Sequence, residues 1–436
     1  MWWLKNAEIV EPSQNWKKIG EVVIKDGRIA GVKESFSAQE IKELAQGEEV
    51  EKIDGKGKYL FPGLIDVHTH LREPGQETKE DILSGSRAAV RGGFTSIMTM
   101  ANTTPVIDNR ALVEFVIAQG RRAGYAKVYP ISAVTKGMLG KELVEMADIR
   151  QGGAVAFSDD GKGIQNGEIM RLALEYARLT GQPVISHCED NSLAHEGYMH
   201  LGKAAARLGL KGIPSSAESV MVARDLLLAG ETGGKLHLAH LSTKESVDMV
   251  RRAKEAGIDV TAEVNPHHLI FCDEDIQITD TSMKVNPPFA SANDREALIE
   301  GLIDGTIDML ATDHAPHRWD EKARPFAEAP FGIMGLETAL SAVWQYLVVP
   351  GRLSVQRLVE AWSTLPARRF NLEAGSIAVG KPADLVLFDP ERTEKIEMES
   401  LCSKASNTPF LGRTLTGLPV MTWVDGKLVQ QERKVI

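Results

Sequence analysis

Phe61-Pro62-Gly63-Leu64-Ile65-Asp66-Val67-His68-Thr69-His70-Leu71-Arg72 begins with a turn signal, runs through an apolar segment and ends in two histidines one residue apart. On a strand, residues two apart point to the same side, so the imidazoles of His68 and His70 would stand next to each other, as a pair of metal ligands does. Arg72 follows with the same parity. A strand that turns polar at its C-terminal end suits the mouth of a barrel, where active sites sit. His-x-His alone is a weak signal, because surface histidines produce it too. Its weight depends on what the other strands contribute.

Outward from this stretch, between residues 62 and 370, apolar runs alternate with helical patterns. Eight runs occur, at 63–71, 94–101, 126–134, 154–160, 183–190, 235–242, 259–264 and 308–314. Helical patterns at 79–91, 109–123, 167–179, 214–228, 243–256, 294–302 and 335–348 separate most of them. Gly92, Gly124, Gly181 and Gly257 fall where helix stops belong. Continuous apolar strands separated by helices make a parallel sheet, and eight of them predict a closed (β/α)8 TIM barrel. A doubly wound open sheet is the alternative, weakened because no G-x-G-x-x-G follows the first strand.

Both ends of the chain read as β. Residues 21–24 and 29–32 form a hairpin pattern around Asp26-Gly27, with a helical patch at 38–44. After residue 375 strands return at 385–389 and in a hairpin around Asp425-Gly426. Neither end can stand alone. We therefore expect one β-sandwich built from residues 1–60 and 373–436 beside a barrel of 61–372. That division suits 436 residues, above the ~250–300 at which a single core stops growing.

With 43% hydrophobic and 25% charged residues, the composition is that of an ordinary soluble protein. A net charge of −10 argues against a nucleic-acid partner, yet allows an anionic substrate in a locally positive pocket. No run approaches the ~20 apolar residues of a membrane span, and the first residues lack the basic-then-apolar order of a signal peptide. Three cysteines, Cys188, Cys272 and Cys402, speak against a disulfide framework and for a reducing, cytoplasmic compartment.

The strand ends carry the chemistry. The second run leads into Asn102, the fourth ends in Asp159-Asp160, the fifth in His187-Cys188-Glu189, the sixth in His240, and the eighth in Asp313-His314-Ala315-Pro316-His317. Charged groups are seldom buried unpartnered, and a shared metal centre explains these together. Imidazoles and carboxylates without paired thiolates suit Zn²⁺, Mn²⁺, Co²⁺ or Fe²⁺. Six candidates, His68, His70, Asp160, His187, His240 and Asp313, exceed what one zinc takes. A two-metal site needs a bridging carboxylate, and the fourth strand offers Asp160 or, as the alternative, Asp159. Cys188, next to His187, could bring a competing thiolate. His195, His200 and His237 read as surface or packing residues, His267-His268 as structural, and His314 as orienting its neighbours. Asp273-Glu274-Asp275 reads as a solvated helix start, and Trp2-Trp3 as core of the small β unit.

Pro62 through Gly75, Ala101-Asn102-Thr103-Thr104-Pro105, Asn286-Pro287-Pro288, Ala311 through His317, Gly380 through Leu385 and Asn407-Thr408-Pro409-Phe410 occur in an order that resembles the dihydroorotases of the amidohydrolase superfamily, in their long bacterial class. The resemblance implies reversible, metal-dependent cyclisation of N-carbamoyl-L-aspartate to dihydroorotate, the third step of pyrimidine biosynthesis. It implies two Zn²⁺ per subunit, one held by His68 and His70 and the other by His187 and His240. Asp160 would stand where many relatives bridge the metals with a carboxylated lysine. Hydroxide would attack the ring carbonyl in the hydrolytic direction, with Asp313 as metal ligand and general base and acid. Arg72, Asn102 and His317 would hold the substrate carboxylate, and Asn286 would orient the ring. A homodimer and association with aspartate transcarbamoylase are the implied partnerships. Relatives often follow Asn-Pro-Pro with Leu-Arg; here Phe289-Ala290 stands instead. Two other functions are the alternatives: a hydantoinase, dihydropyrimidinase or allantoinase, and a non-catalytic scaffold, which should lose metal ligands.

Overall fold

The computed structural model describes all 436 residues. Eight parallel strands form the central sheet: β1 Leu64–Thr69, β2 Phe94–Thr99, β3 Lys127–Ser132, β4 Ala156–Ser158, β5 Val184–Ser186, β6 Leu236–Leu238, β7 Val260–Val264 and β8 Met309–Leu310. Each pairs with the next in chain order. Closure between β8 and β1 relies on few contacts. Thr69 and His314 form a parallel bridge, the His70 amide donates to the His314 carbonyl (2.9 Å), and the Thr312 amide donates to Asp66 Oδ1 (3.0 Å). The barrel is thus nearly closed, with a side chain substituting for part of the last ladder.

Alternate strand residues fill the interior, among them Ile65, Val67, Met98, Ile131, Ile185 and Met309, with Phe370 beneath them. The outward residues join a cluster of 66 buried residues shared with the surrounding helices. Several strands are shorter than the apolar runs that predict them. The run 308–314 contributes only Met309–Leu310 to the ladder, and 183–190 only Val184–Ser186. The remainder leaves the sheet at its polar C-terminal end, which frees those side chains for the barrel mouth. The helical pattern at 335–348 becomes a short α-helix, Ala339–Val343, followed by a π turn, Trp344–Val348. Asp273–Asp275 is a single 3-10 turn with Asp273 buried, not a solvated helix start. No helix is long and apolar enough to cross a membrane.

The two chain ends meet in one nine-stranded sheet. The strand Tyr59–Pro62 joins them, pairing parallel with Trp2–Glu11 and antiparallel with Leu385–Lys395. The sandwich is therefore a single continuous sheet bent over on itself, not two separate ones. Leu4, Ile9, Ile24, Leu60, Leu387 and Trp423 line its enclosed face, and Trp2 meets Trp423 edge to face at 6.0 Å.

Buried charge ties this sheet to the barrel. Arg91, at the end of the helix Ile82–Arg91, donates to Glu337 (2.8 Å) and to Glu394 of the strand Leu385–Lys395 (2.7 Å). Arg433 holds the other oxygen of Glu394 (2.9 Å). Removing one member of a buried pair leaves the other uncompensated, at a cost of roughly 3–5 kcal/mol. Arg91→Met, which strands the fully buried Glu337, should therefore lower thermal stability clearly in a melting experiment, whereas a change within error would mean the cluster contributes little.

Candidate active site

The mouth of the barrel gathers the polar strand ends around Asp160. Its Oδ2 lies 3.5 Å from Nε2 of both His68 and His70, and its Oδ1 lies 3.5 Å from His187 Nδ1 and from His240 Nε2. Two trios, His68–His70–Asp160 and Asp160–His187–His240, thus share one carboxylate, each with its ligand atoms within 4.8 Å of one another. Asp313 Oδ1 adds a second carboxylate, 3.0 Å from His70 Nε2 and 3.4 Å from His68 Nε2. All six residues are buried. Asp159 points elsewhere: its carboxylate accepts from the Val134 and Thr135 amides (2.8 and 3.0 Å) and from the Thr135 hydroxyl.

The donor set fits divalent cations. His68 Nε2 and Asp160 Oδ1 are buried without a hydrogen-bond partner. His187 Nδ1 and His240 Nε2 stand 2.9 Å apart, both facing the same carboxylate oxygen. Buried lone pairs left unsatisfied are costly; a shared cation satisfies them together. Two contacts set the tautomers. Glu263 Oε1 accepts from His68 Nδ1 (2.6 Å) and Asn102 Oδ1 from His70 Nδ1 (2.9 Å), so both Nε2 lone pairs face inward. Burial alone would push Asp160 and Asp313 up, but the surrounding imidazoles outweigh it and hold both well below the usual carboxylate range. Burial likewise works against the charged form of His68, and Asp160, Glu263 and Asp313 override it, raising that imidazole.

Glu263 sits inside β7 and was not singled out from the sequence. It also accepts from His237 Nε2 (3.0 Å) and from the His240 amide (3.3 Å). His237 is therefore a fully buried member of this network, its Nδ1 on Thr261 (2.8 Å); of the two expected places, surface or packing, this leaves the interior one. A carboxylate inside the apolar run 259–264, past the Asp259 that opens it, was the available signal. Asp66 is likewise buried, bound to the Thr312 amide and hydroxyl, and burial pushes its carboxyl up to about 6.

Beside the imidazoles lies a cavity of about 230 Å³, lined by His70, Arg72, Asn102, Asn286, Asp313 and His317 among others. The parity expected for Arg72 does not apply, because β1 ends at Thr69. Arg72 reaches the cavity through a left-handed turn (φ 64°), and His240 (33°) and Asp313 (46°) are also left-handed. Such non-glycine conformations cost about 1–3 kcal/mol each and persist where the surroundings enforce them. Arg72 Nε donates to the Pro316 carbonyl (3.3 Å) and Nη2 lies 3.4 Å from His317 Nε2. No carboxylate pairs with this guanidinium, although it is buried, and burial lowers it to about 10. Burial and the neighbouring Arg72 keep His317 neutral. Asn286 Oδ1 is buried without a partner.

Other candidates take structural places. His314 is fully buried, with Nδ1 accepting from the Gly335 amide (3.2 Å) and Nε2 3.4 Å from Glu80. His268 donates to the Pro287 carbonyl (2.9 Å) and packs with His267 against Phe289, steadying the segment that carries Asn286. His195 is exposed, and His200 bonds Ser215 (2.9 Å). Cys188 turns away from the imidazoles toward Ser186 and Asp225, and burial raises its thiol. It offers no thiolate to the site.

Comparison with known proteins agrees with this geometry. A family profile described as dihydro-orotase-like matches residues 57–246, and the amidohydrolase family profile matches residues 200–430. A dihydroorotase of Pelotomaculum thermopropionicum is 49% identical over 432 residues, covering 99% of both chains. One from Geobacillus sp. is 47% identical, covering 98% of this chain and 99% of its own. Among solved structures, an L-hydantoinase of Arthrobacter aurescens superimposes with a TM-score of 0.86 at 25% identity, covering 100% of this chain and 97% of its own. A dihydropyrimidinase of Brevibacillus agri does so at 0.83 and 23%, a likeness of fold. With near-full-length identity of this order and the imidazole–carboxylate cluster at the barrel mouth, the chain belongs to the dihydroorotase family of amidohydrolases.

Proposed function

We propose that the cleft interconverts dihydroorotate and N-carbamoyl-L-aspartate, and that Arg72 is what selects this ring. The carrying observation is a buried guanidinium with no carboxylate partner. An unpaired buried cation is costly, and a ring carboxylate supplies the missing charge through the planar fork of arginine. Asn102 has its oxygen engaged by His70, which leaves its amide N–H groups for the same anion. His317, neutral, completes the anchor. The unpartnered Asn286 oxygen suits a ring N–H donor. Uncharged hydantoins and dihydropyrimidines would leave Arg72 without its anion, which disfavours that reading, and a degenerate scaffold would not keep every candidate ligand.

His68 and His70 would hold one divalent ion, His187 and His240 a second, with Asp160 between them and Asp313 alongside. The nitrogen and oxygen donors suit zinc. Bound there, such ions supply hydroxide at neutral pH and polarise an amide carbonyl. In the hydrolytic direction the ring C–N amide bond breaks, giving a new carboxylate and a terminal carbamoyl NH₂. Asp313, ionised and 3.0 Å from His70 Nε2, is placed to take the proton from the nucleophile and return it to the leaving nitrogen. Cyclisation runs the same transfers in reverse. The three cysteines are free, which suits a cytoplasmic setting.

A spectrophotometric dihydroorotate assay with and without added Zn²⁺, joined to bound-metal analysis, tests the reading directly. Arg72→Met should raise KM for dihydroorotate at least about tenfold, the loss expected for charge-assisted hydrogen bonds, while metal content stays intact; an unaltered KM would count against the anchor. Glu263→Gln should weaken metal retention about 10–100-fold, as loss of a partner behind a metal-binding imidazole does. Bound metal after dialysis against graded chelator would read this, and retention equal to the parent enzyme would remove Glu263 from that role.

A further inference from the structure

Asn407-Thr408-Pro409-Phe410 was part of the resemblance, yet the site described so far gives it no task. Asn407 lies in the segment between the strands Leu385–Lys395 and Thr414–Val424, and it is buried. Its side chain reaches under the cleft. The His317 amide donates to Asn407 Oδ1 (3.0 Å), and Asn407 Nδ2 donates to the carbonyls of Ala315 and Gly332 (both 3.0 Å). Its own carbonyl accepts from the Met334 amide (3.0 Å). Ala315, His317, Phe331 and Gly332 all line the cavity, so one amide group joins two adjacent backbone segments of its wall, which the Ala315 amide also links by donating to the Ile333 carbonyl (3.0 Å).

The Gly332 peptide is held from other sides as well. Lys322 Nζ donates to the same Gly332 carbonyl (3.0 Å), to Pro330 O (2.9 Å) and to Lys284 O (3.3 Å). The Gly332 amide donates to Lys284 O (2.9 Å), two residues before Asn286. Both acceptor positions of the Gly332 carbonyl are thereby used. The walls are in contact: a Cβ on Gly332, whose φ is 137°, would meet Ala315 Cβ at 2.9 Å and His317 Cδ2 at 3.0 Å.

We propose that Asn407 is a positioning residue that sets the spacing of the Ala315–His317 and Phe331–Gly332 walls, and through them the placement of His317 and Arg72 on the substrate. This rests on the dihydroorotase reading. Arg72 Nε is bonded to Pro316 O, between the two residues that Asn407 grips, so a shift of this wall moves both anchors. The chemistry requires an amide. A carboxylate at this position would set an acceptor against the Ala315 and Gly332 carbonyls, and alanine would leave buried amide and carbonyl groups unsatisfied.

The test compares Asn407→Asp with Asn407→Ala, each checked for folding and bound metal. Hydrogen–deuterium exchange is followed at residues 314–318 and 331–335, alongside KM and kcat for dihydroorotate. The aspartate variant is expected to fold, keep its metal, raise KM at least about tenfold with kcat altered far less, and exchange faster at the His317 and Met334 amides. Unchanged KM with unchanged exchange overturns the proposal. A fall in kcat, metal content and melting temperature together, or failure of both variants to fold, marks Asn407 as merely structural and also overturns it. If the parent enzyme does not turn over dihydroorotate while the variant still loosens both walls, the wall-holding stands and the substrate reading fails.

Discussion

Four buried imidazoles face one another across a single carboxylate, the two oxygens of Asp160. This places strict demands on the barrel. β1, β4, β5 and β6 must end at the same height, and each must leave the ladder early enough to free its terminal side chain. The short strands, two to six residues long, follow from that demand. So do the left-handed turns at His240 and Asp313, which aim side chains inward where a regular strand would send them elsewhere.

Charge is treated differently in two parts of the molecule. Between barrel and terminal sheet, Arg91 and Arg433 are neutralised by Glu337 and Glu394, and the result is adhesion. In the cleft, Arg72 is just as buried and has no carboxylate of its own. Its nearest polar neighbours are a carbonyl and a neutral imidazole. An arginine in this state keeps its fork open to a counter-ion from outside. The same physical cost is thus offset internally in one place and left open in the other.

The barrel and the residues of the imidazole cluster were legible in the sequence because the strands that carry the cluster give themselves away twice, by an apolar run and by a polar residue at the end. The terminal segments were legible as one β unit, while the bend that makes it a single continuous sheet was not, since pairing across a gap of more than three hundred residues leaves no local trace. Glu263 and His237 escaped because they lie within strands, where a polar residue reads as an interruption. Their meaning appears only when three strands are set side by side. For Arg72 the geometry differs from the expectation: strand parity pointed to it, and a left-handed turn carries it to the cavity. Choosing between Asp159 and Asp160 required knowing that the β3 loop already satisfies the former.

Closure of the barrel depends on contacts made by residues 312–314 with β1, one of them through the Asp66 side chain. Those residues lie almost three quarters of the way along the chain. A chain emerging from the ribosome therefore carries His68 and His70 long before it has the seam that orders them. The N-terminal strands wait longer still, for the strand Leu385–Lys395 that pairs with Tyr59–Pro62. Until those partners are made, the early strands stay exposed, and they are the part that chaperones would have to shield. The cleft is thus closed by residues that are synthesised before the terminal sheet is complete.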